Sequence, residues 1–219
     1  MPNTAKTAVL MLLLLLQGCT NALKVEGDFP IPLVKPTAHN IAVYYDDTFR
    51  TYTYTEESKD RGKWIIETGD AQIKLFNQVL SQLFGDLTVI SALPEAEAPL
   101  AADLVIHPKI IEFQYSVPRE TRFKVYEVWL KYNLSAYNSH GGLVADWILT
   151  GYGKTPTAFM LSDEKAMNAA AVVALRDLGA NLSLTTLRVP EIRAWMENKS
   201  RILATVPASP ASETVEPKP

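Results

Sequence analysis

Cys19 is the chain's single thiol, and it closes the block Leu16-Gln17-Gly18-Cys19. A thiolate is the side chain most readily turned to covalent chemistry near neutral pH, so any bond-forming role starts with this residue. A lone cysteine cannot close a disulfide within the chain. The three histidines, His39, His107 and His140, fall in a linker, in a strand ahead of Pro108, and in a glycine-containing turn. No His-Glu-x-x-His, cysteine pair or close histidine–carboxylate group accompanies them, so no metal site is expected. Asp46, Asp47, Glu56, Glu57 and Asp60 lack the alternating ligands and central glycine of a calcium loop, and read as a solvated face. Gly141-Gly142 and Gly151-x-Gly153 lack the strand-to-helix setting of a phosphate loop, and there is no Gly-x-Ser-x-Gly elbow. With no nucleophile–base pair, the expectation is a protein without catalytic residues and without a cofactor. Recognition remains. Tyr44, Tyr45, Tyr52 and Tyr54 place aromatic rings beside the acidic segment, and Trp129 lies on the less apolar side of a long strand. Aromatic side chains with a polar tip favour interface cores, which makes these five the candidate partner-binding residues; plain sheet packing is the alternative for each.

What precedes Cys19 gives it meaning. Lys6 and an amino terminus come before an apolar run that starts near Ala8 and includes five consecutive leucines, Leu12 to Leu16. A basic start, a short apolar core and small residues before a cut site make a secretory signal, too short to span a bilayer. The block Leu-x-Gly-Cys resembles the lipobox of bacterial lipoproteins. That resemblance implies a diacylglycerol joined to Cys19 by a thioether, cleavage before Cys19, and acylation of the new amino group. It implies in turn a membrane contact made through acylated Cys19. Enterobacterial lipoproteins with aspartate at the next position stay in the inner membrane. Thr20 stands there instead, which implies a lipid-anchored protein of the outer membrane that faces the periplasm.

Removal of Met1 to Gly18 leaves 201 of the 219 residues, enough for one domain with a real core and loose ends. Lys6 is the only charged side chain lost with it, so the formal charge moves from −3 to −4. Mild acidity without a basic stripe leaves no footprint for nucleic acid. No later apolar run reaches the roughly 18 residues of a spanning helix.

These residues need elements to position them. From Thr20 to about Asn40, Pro30, Pro32 and Pro36 predict an extended, semi-stiff tether rather than part of a fold. Ile41 to Tyr45 predicts a first strand, and Thr48 to Lys63 an irregular strand or surface loop. Ile73, Phe76, Leu80, Leu83 and Phe84 recur at three- and four-residue steps, which predicts an amphipathic helix from Asp70 to Phe84, stopped by Gly85. Leu87 to Ile90 makes a short strand. A strand from Leu104 to Val117, bent at Pro108, is followed by the longest strand, Phe123 to Tyr137, and by a return strand, Leu143 to Tyr152. Period-two alternation in these three predicts an antiparallel meander, with Ile111, Phe113, Tyr115 and Trp147 in the core and Trp129 on the surface. Ser162 caps a last long helix whose alanine-rich stripe includes Ala170, Ala171 and Ala174, small enough to lie close to a sheet. Pro190 ends or restarts it, and residues 205–219 read as a disordered, proline-rich tail. The fold class is therefore an α/β (α+β) two-layer sandwich over residues 41–204, with a mostly antiparallel sheet and two principal helices packed on one face.

This element order behind a lipobox, with Ala102-Asp103-Leu104-Val105 opening the meander and Ala174-Leu175-Arg176-Asp177-Leu178 in the last helix, resembles small outer-membrane lipoproteins. These include the auxiliary lipoproteins of ABC-type transport systems and the YajG-like and lipopolysaccharide-assembly lipoproteins. The resemblance implies an accessory or adaptor of a trans-envelope or lipid-transport assembly, with a protein partner in the envelope. A lipoprotein that holds a small apolar ligand between helices and sheet is the second reading, and a periplasmic enzyme the third.

Overall fold

The computed structural model describes residues 20–37, 39–156 and 162–205. The signal, Cys19 and the tail beyond Thr205 lie outside these residues. The described chain runs β1 (Thr20–Lys24), β2 (Ile41–Tyr44), α1 (Asp47–Arg50), β3 (Thr53–Ser58), β4 (Gly62–Glu67), α2 (Gly69–Phe84), β5 (Leu87–Ile90), β6 (Leu104–Ser116), β7 (Val125–Asn138), β8 (Leu143–Pro156), α3 (Asp163–Thr185) and α4 (Pro190–Thr205).

The main sheet has the order β5-β2-β6-β7-β8. Its β6–β7–β8 part is the antiparallel meander that alternation predicts. The other half is parallel, since β2 pairs with both β5 and β6 in that sense. The sheet is thus mixed. Parallel pairing follows from α2, which carries the chain back across the sheet face between β4 and β5, and from the long 91–103 connection between β5 and β6. The strand β6 continues through Pro108, which pairs with Leu134, and the irregularity falls instead at Ile111, between the pairs Ile110–Tyr132 and Glu112–Lys131. That extra residue leaves Ile111 51% exposed, against the expectation of a core position.

Both long helices cover one face of the sheet. On α2, Leu75, Phe76, Val79, Leu80, Leu83 and Phe84 are buried, and the Phe76 ring lies 5.7 Å from that of Tyr132 on β7. The Tyr132 hydroxyl donates to Gln72 Oε1 at 2.7 Å. The alanine stripe of α3 lies over β7 and β8, where a Cβ on Gly153 would stand 2.2 Å from the Ala170 oxygen and one on Gly151 2.3 Å from the Ala174 oxygen. Two side chains of α3 also cover the free edge of β8: Asp177 Oδ2 accepts from the Tyr152 amide and Asn181 Nδ2 donates to the Thr150 carbonyl, each at 3.0 Å. A sheet edge closed this way is a poor template for another strand.

Two features depart from the expected two-layer plan. First, Thr53 to Glu67 forms a hairpin, and with β1 it makes a second sheet of order β1-β4-β3. Its buried residues Trp64 and Ile66 pack onto the far end of the meander, with Trp64 5.8 Å from Tyr115 and 6.3 Å from Tyr126 by ring centroid. The layer over the main sheet is therefore part helix and part sheet. Second, the stretch read as a tether is strapped down. Residues Thr20 to Lys24 pair in parallel with Lys63 to Glu67, and Val25 and Phe29 are buried. Beyond β1, helix side chains donate to the strap's carbonyls: Lys74 to Gly27, Arg176 to Asp28, Gln78 to Phe29 and Gln82 to Val34. Asn168 both donates to and accepts from the backbone of Glu26. Extended backbone turns its carbonyls outward, and here two helices supply the missing donors.

Among the described residues, no helix is long and apolar enough to cross a membrane.

Candidate partner-binding face

The five candidate aromatics do not form one patch. Tyr45 is 1% exposed, stacked on Phe49 at 5.1 Å, with its hydroxyl donating to Asn77 Oδ1 at 2.8 Å; burial holds its phenol well above the ordinary tyrosine range. It is a core residue, because α1 folds back over it. Tyr52 and Tyr54 pack against the core, and Tyr54 stacks on Phe113 at 4.8 Å while donating to Glu56. Tyr44 lies on the opposite sheet face, tilted over His107 at 4.9 Å. Trp129 is the one that faces solvent, at 37% exposure. Trp147, expected in the core, is half-buried against it, and Leu143, which the register shift between Ala136 and Tyr137 carries to the other side of the strand, is exposed.

Trp129 has a partner that its own strand does not reveal. Tyr152 lies directly across from it on β8 and is equally exposed, with ring centroids 5.2 Å apart. Cross-strand register builds the site in two rows, Gln114–Trp129–Tyr152 and Glu112–Lys131–Thr150. With Leu130, Gly151 and Asp177 these residues line an open groove of about 270 Å³. Exposed Ile111 and Ile148 extend the apolar surface. The polar groups are engaged at its rim. Tyr152 donates its hydroxyl to Glu127 Oε1 at 3.0 Å, Gln114 donates to Glu112, and Lys131 stands 4.0 Å from Glu112. Partial burial and then the Glu127 carboxylate raise the Tyr152 phenol above its usual range, so it remains a neutral donor. The signal for Tyr152 in the sequence is its place on the wet side of the return strand, legible only once the register to Trp129 is known.

Over β2 and the start of β6 this sheet face is covered. His107 and Val105 are buried, and residues 100–102 fold over Ala42 and Ile90 to leave a groove of about 550 Å³ along β5, with Asn40, Asp86 and Thr88 among its walls. The Leu100 amide fixes that loop to the Ser139 carbonyl at 3.0 Å.

His107 is the buried titratable group nearest to chemistry. Its Nε2 donates to Asp46 Oδ2 at 3.2 Å, while Asp46 Oδ1 caps α1 by accepting from the Phe49 amide at 2.7 Å. Nδ1 has no hydrogen-bond partner among the described residues. Burial lowers the pKa of His107, with Lys109 acting in the same direction, and Asp46 opposes the shift. The imidazole is thus neutral in the folded state over a pH range where the unfolded chain is already protonated. Stability from this group is complete above the unfolded value of about 6.5 and is lost as pH falls toward the lower folded value. The thermal midpoint should drop as buffer pH is taken from 7 to about 5.5, and His107→Gln should flatten that part of the slope. An unchanged slope in the variant would place the effect elsewhere. Among the described residues, no group of three or more metal-ligating side chains comes together.

No family model matches the chain, and no curated protein matches it in sequence. Solved structures do match. A minor lipoprotein from Acinetobacter baumannii aligns with 75% of this chain and 95% of its own at 8% identity and a TM-score of 0.43. Protein XCC0632 from Xanthomonas campestris, described by the DUF330 family model, aligns with 83% of this chain and 99% of its own at 11% identity and a TM-score of 0.54. At that identity the likeness is one of architecture, and the chain shares its fold with the Xanthomonas protein over nearly the whole length of the latter.

Proposed function

We propose that this chain is a lipid-anchored lipoprotein of the bacterial outer membrane that works without catalysis, as an accessory or adaptor of a trans-envelope or lipid-transport assembly. Its protein partner would dock on the groove between Trp129 and Tyr152. The observation that carries this reading is the exposed aromatic pair itself: two large rings, unshielded by either layer, on the uncovered part of a sheet whose other face is packed by helices and the second sheet. Aromatic anchors in such grooves, rimmed by paired charges, are the residues that dominate protein–protein affinity. The resemblance of Leu16 to Cys19 to a lipobox supports the location. The ligand-carrier reading is less favoured, because the space between helices and sheet is filled by Leu75, Phe76, Val79, Leu80, Tyr132 and Leu175, and the grooves described above open on the surface.

Photocrosslinking from position 150 in intact cells tests the proposal. The parent should capture a discrete envelope protein. Trp129→Ala should reduce that capture about 30-fold, the loss of roughly 2 kcal/mol expected of a central aromatic anchor, with a thermal midpoint close to the parent's. Undiminished capture of the same protein would rule out this face.

A further inference from the structure

The strap that replaces the expected tether determines which end of the domain meets a membrane. We propose that the end formed by residues 59–63 and 117–124 lies flat against the bilayer surface and recognises anionic phospholipid headgroups. This rests on the reading of Cys19 as the acylated residue. One peptide bond, about 3.8 Å between Cα atoms, separates Cys19 from Thr20. Thr20 is in register with Lys63 at the start of β4. Acyl chains on Cys19 would therefore enter the bilayer beside the β3–β4 turn. A free spacer of some twenty residues would instead span roughly 25 Å and leave the domain's orientation open.

The two turns meet at this point. Asn21, Arg61, Trp64, Val117, Pro118, Arg119, Tyr126 and Asp163 line one groove of about 370 Å³, and Arg61 Nε donates to Glu120 Oε1 at 2.7 Å. In a chain with a formal charge of −3, these turns hold six basic residues, Lys59, Arg61, Lys63, Arg119, Arg122 and Lys124, against two acids, Asp60 and Glu120. Glu56 shares Arg61 with Glu120, and Glu57 stands across from Lys63, so an excess of two positive charges is left at this end. The nearby Asp163 and Glu164 open α3, where the helix amides offset their charge. Phe123 projects between Arg122 and Lys124 at the tip and is 78% exposed. The tip is held by the Thr121 hydroxyl, which accepts from the Val125 amide at 2.9 Å, and by a left-handed turn at Lys124. An exposed ring flanked by cations, beside a lipid anchor, matches a headgroup layer with apolar chains beneath it. Several acyl chains already make a durable tether, so the role of this end is orientation. The strand β7 then runs about 45 Å away from the bilayer, carrying the β7–β8 turn and the 91–103 loop outward.

The test uses the full, acylated chain on vesicles of phosphatidylcholine and phosphatidylglycerol containing headgroup-spin-labelled lipid. Once Cys19 is acylated, a cysteine introduced as Asp60→Cys or His140→Cys is the only thiol open to a fluorophore. The label at 60 should be quenched several-fold more than the label at 140. High salt, vesicles of phosphatidylcholine alone, or the triple change Lys59→Glu, Arg119→Glu, Arg122→Glu should lower the quenching at 60 and narrow the difference, since each basic residue near an anionic surface is worth about fivefold in binding. The triple variant should keep the parent's thermal midpoint. Equal quenching at 60 and 140 on anionic vesicles, with Cys19 shown by mass spectrometry to be acylated, overturns the orientation alone. Quenching at 60 that is the same without phosphatidylglycerol overturns the headgroup choice. An unacylated Cys19 removes both the lipoprotein reading and this one.

Discussion

Gly153→Val should leave little folded protein. A Cβ at this position would stand 2.2 Å from the Ala170 carbonyl oxygen and 2.3 Å from the Ala174 amide nitrogen, and both are helix backbone that cannot rotate away. Relief requires α3 to lift off the sheet, which strips cover from Val128, Leu130 and Leu149 and pulls Asp177 from the Tyr152 amide. Overpacking of a core costs about 1–3 kcal/mol when side chains can adjust and more when backbone must move, out of a total stability of about 5–15 kcal/mol. Gly142→Ala is the control. Its added Cβ would meet the end of the Asn138 side chain, at 2.7 Å from Nδ2, and that side chain can shift at the cost of the bonds its Oδ1 accepts from the His140 and Gly142 amides. In urea titrations the control should keep most of the parent's stability, and Gly153→Val should be largely unfolded without denaturant. A valine variant that unfolds with the parent's midpoint would mean that helix and sheet are not so close.

Cys19→Ser should abolish membrane anchoring. The thiol alone can carry a thioether-linked lipid, and the chain contains no second cysteine. One acyl chain binds a bilayer only marginally, with a partition constant of about 10⁴ M⁻¹, whereas two or more make the attachment lasting. On the lipoprotein reading, serine removes the attachment point and the cleavage that depends on it. The parent should sediment with membranes and leave them only in detergent. The variant should be found as an uncleaved precursor or in the soluble fraction. Cys19→Ser protein that is processed normally and stays membrane-bound would end the lipoprotein reading, and with it the proposed orientation.

Helices and the meander were legible in the amino-acid sequence because their signals are local. The three- and four-residue spacing of Phe76, Leu80, Leu83 and Phe84 gives the helix to within a residue of its observed ends. The alternation of Val128, Leu130, Tyr132 and Leu134 marks the buried side of β7, and with it the outward side that holds Trp129. The block ending at Cys19 is equally local, since its resemblance to a lipobox lies in four consecutive residues.

Other features depend on groups far apart in the chain. The prolines of the 20–37 stretch do predict extended backbone. Whether that backbone floats or is strapped depends on donors at Lys74, Gln78 and Arg176, as many as 148 residues away. Tyr44, Tyr45, Tyr52 and Tyr54 look alike in sequence, yet α1 turns one of them into core and the second sheet half-buries two. A single extra residue at Ile111 reverses which side of β6 faces in, and no periodicity on one strand can reveal that. The pairing of Trp129 with Tyr152 likewise exists only through cross-strand register. Local periodicity determines which residues can share a face. Which face is then left open to a partner or a membrane depends on how far neighbouring elements extend over it, and only the packed chain decides that.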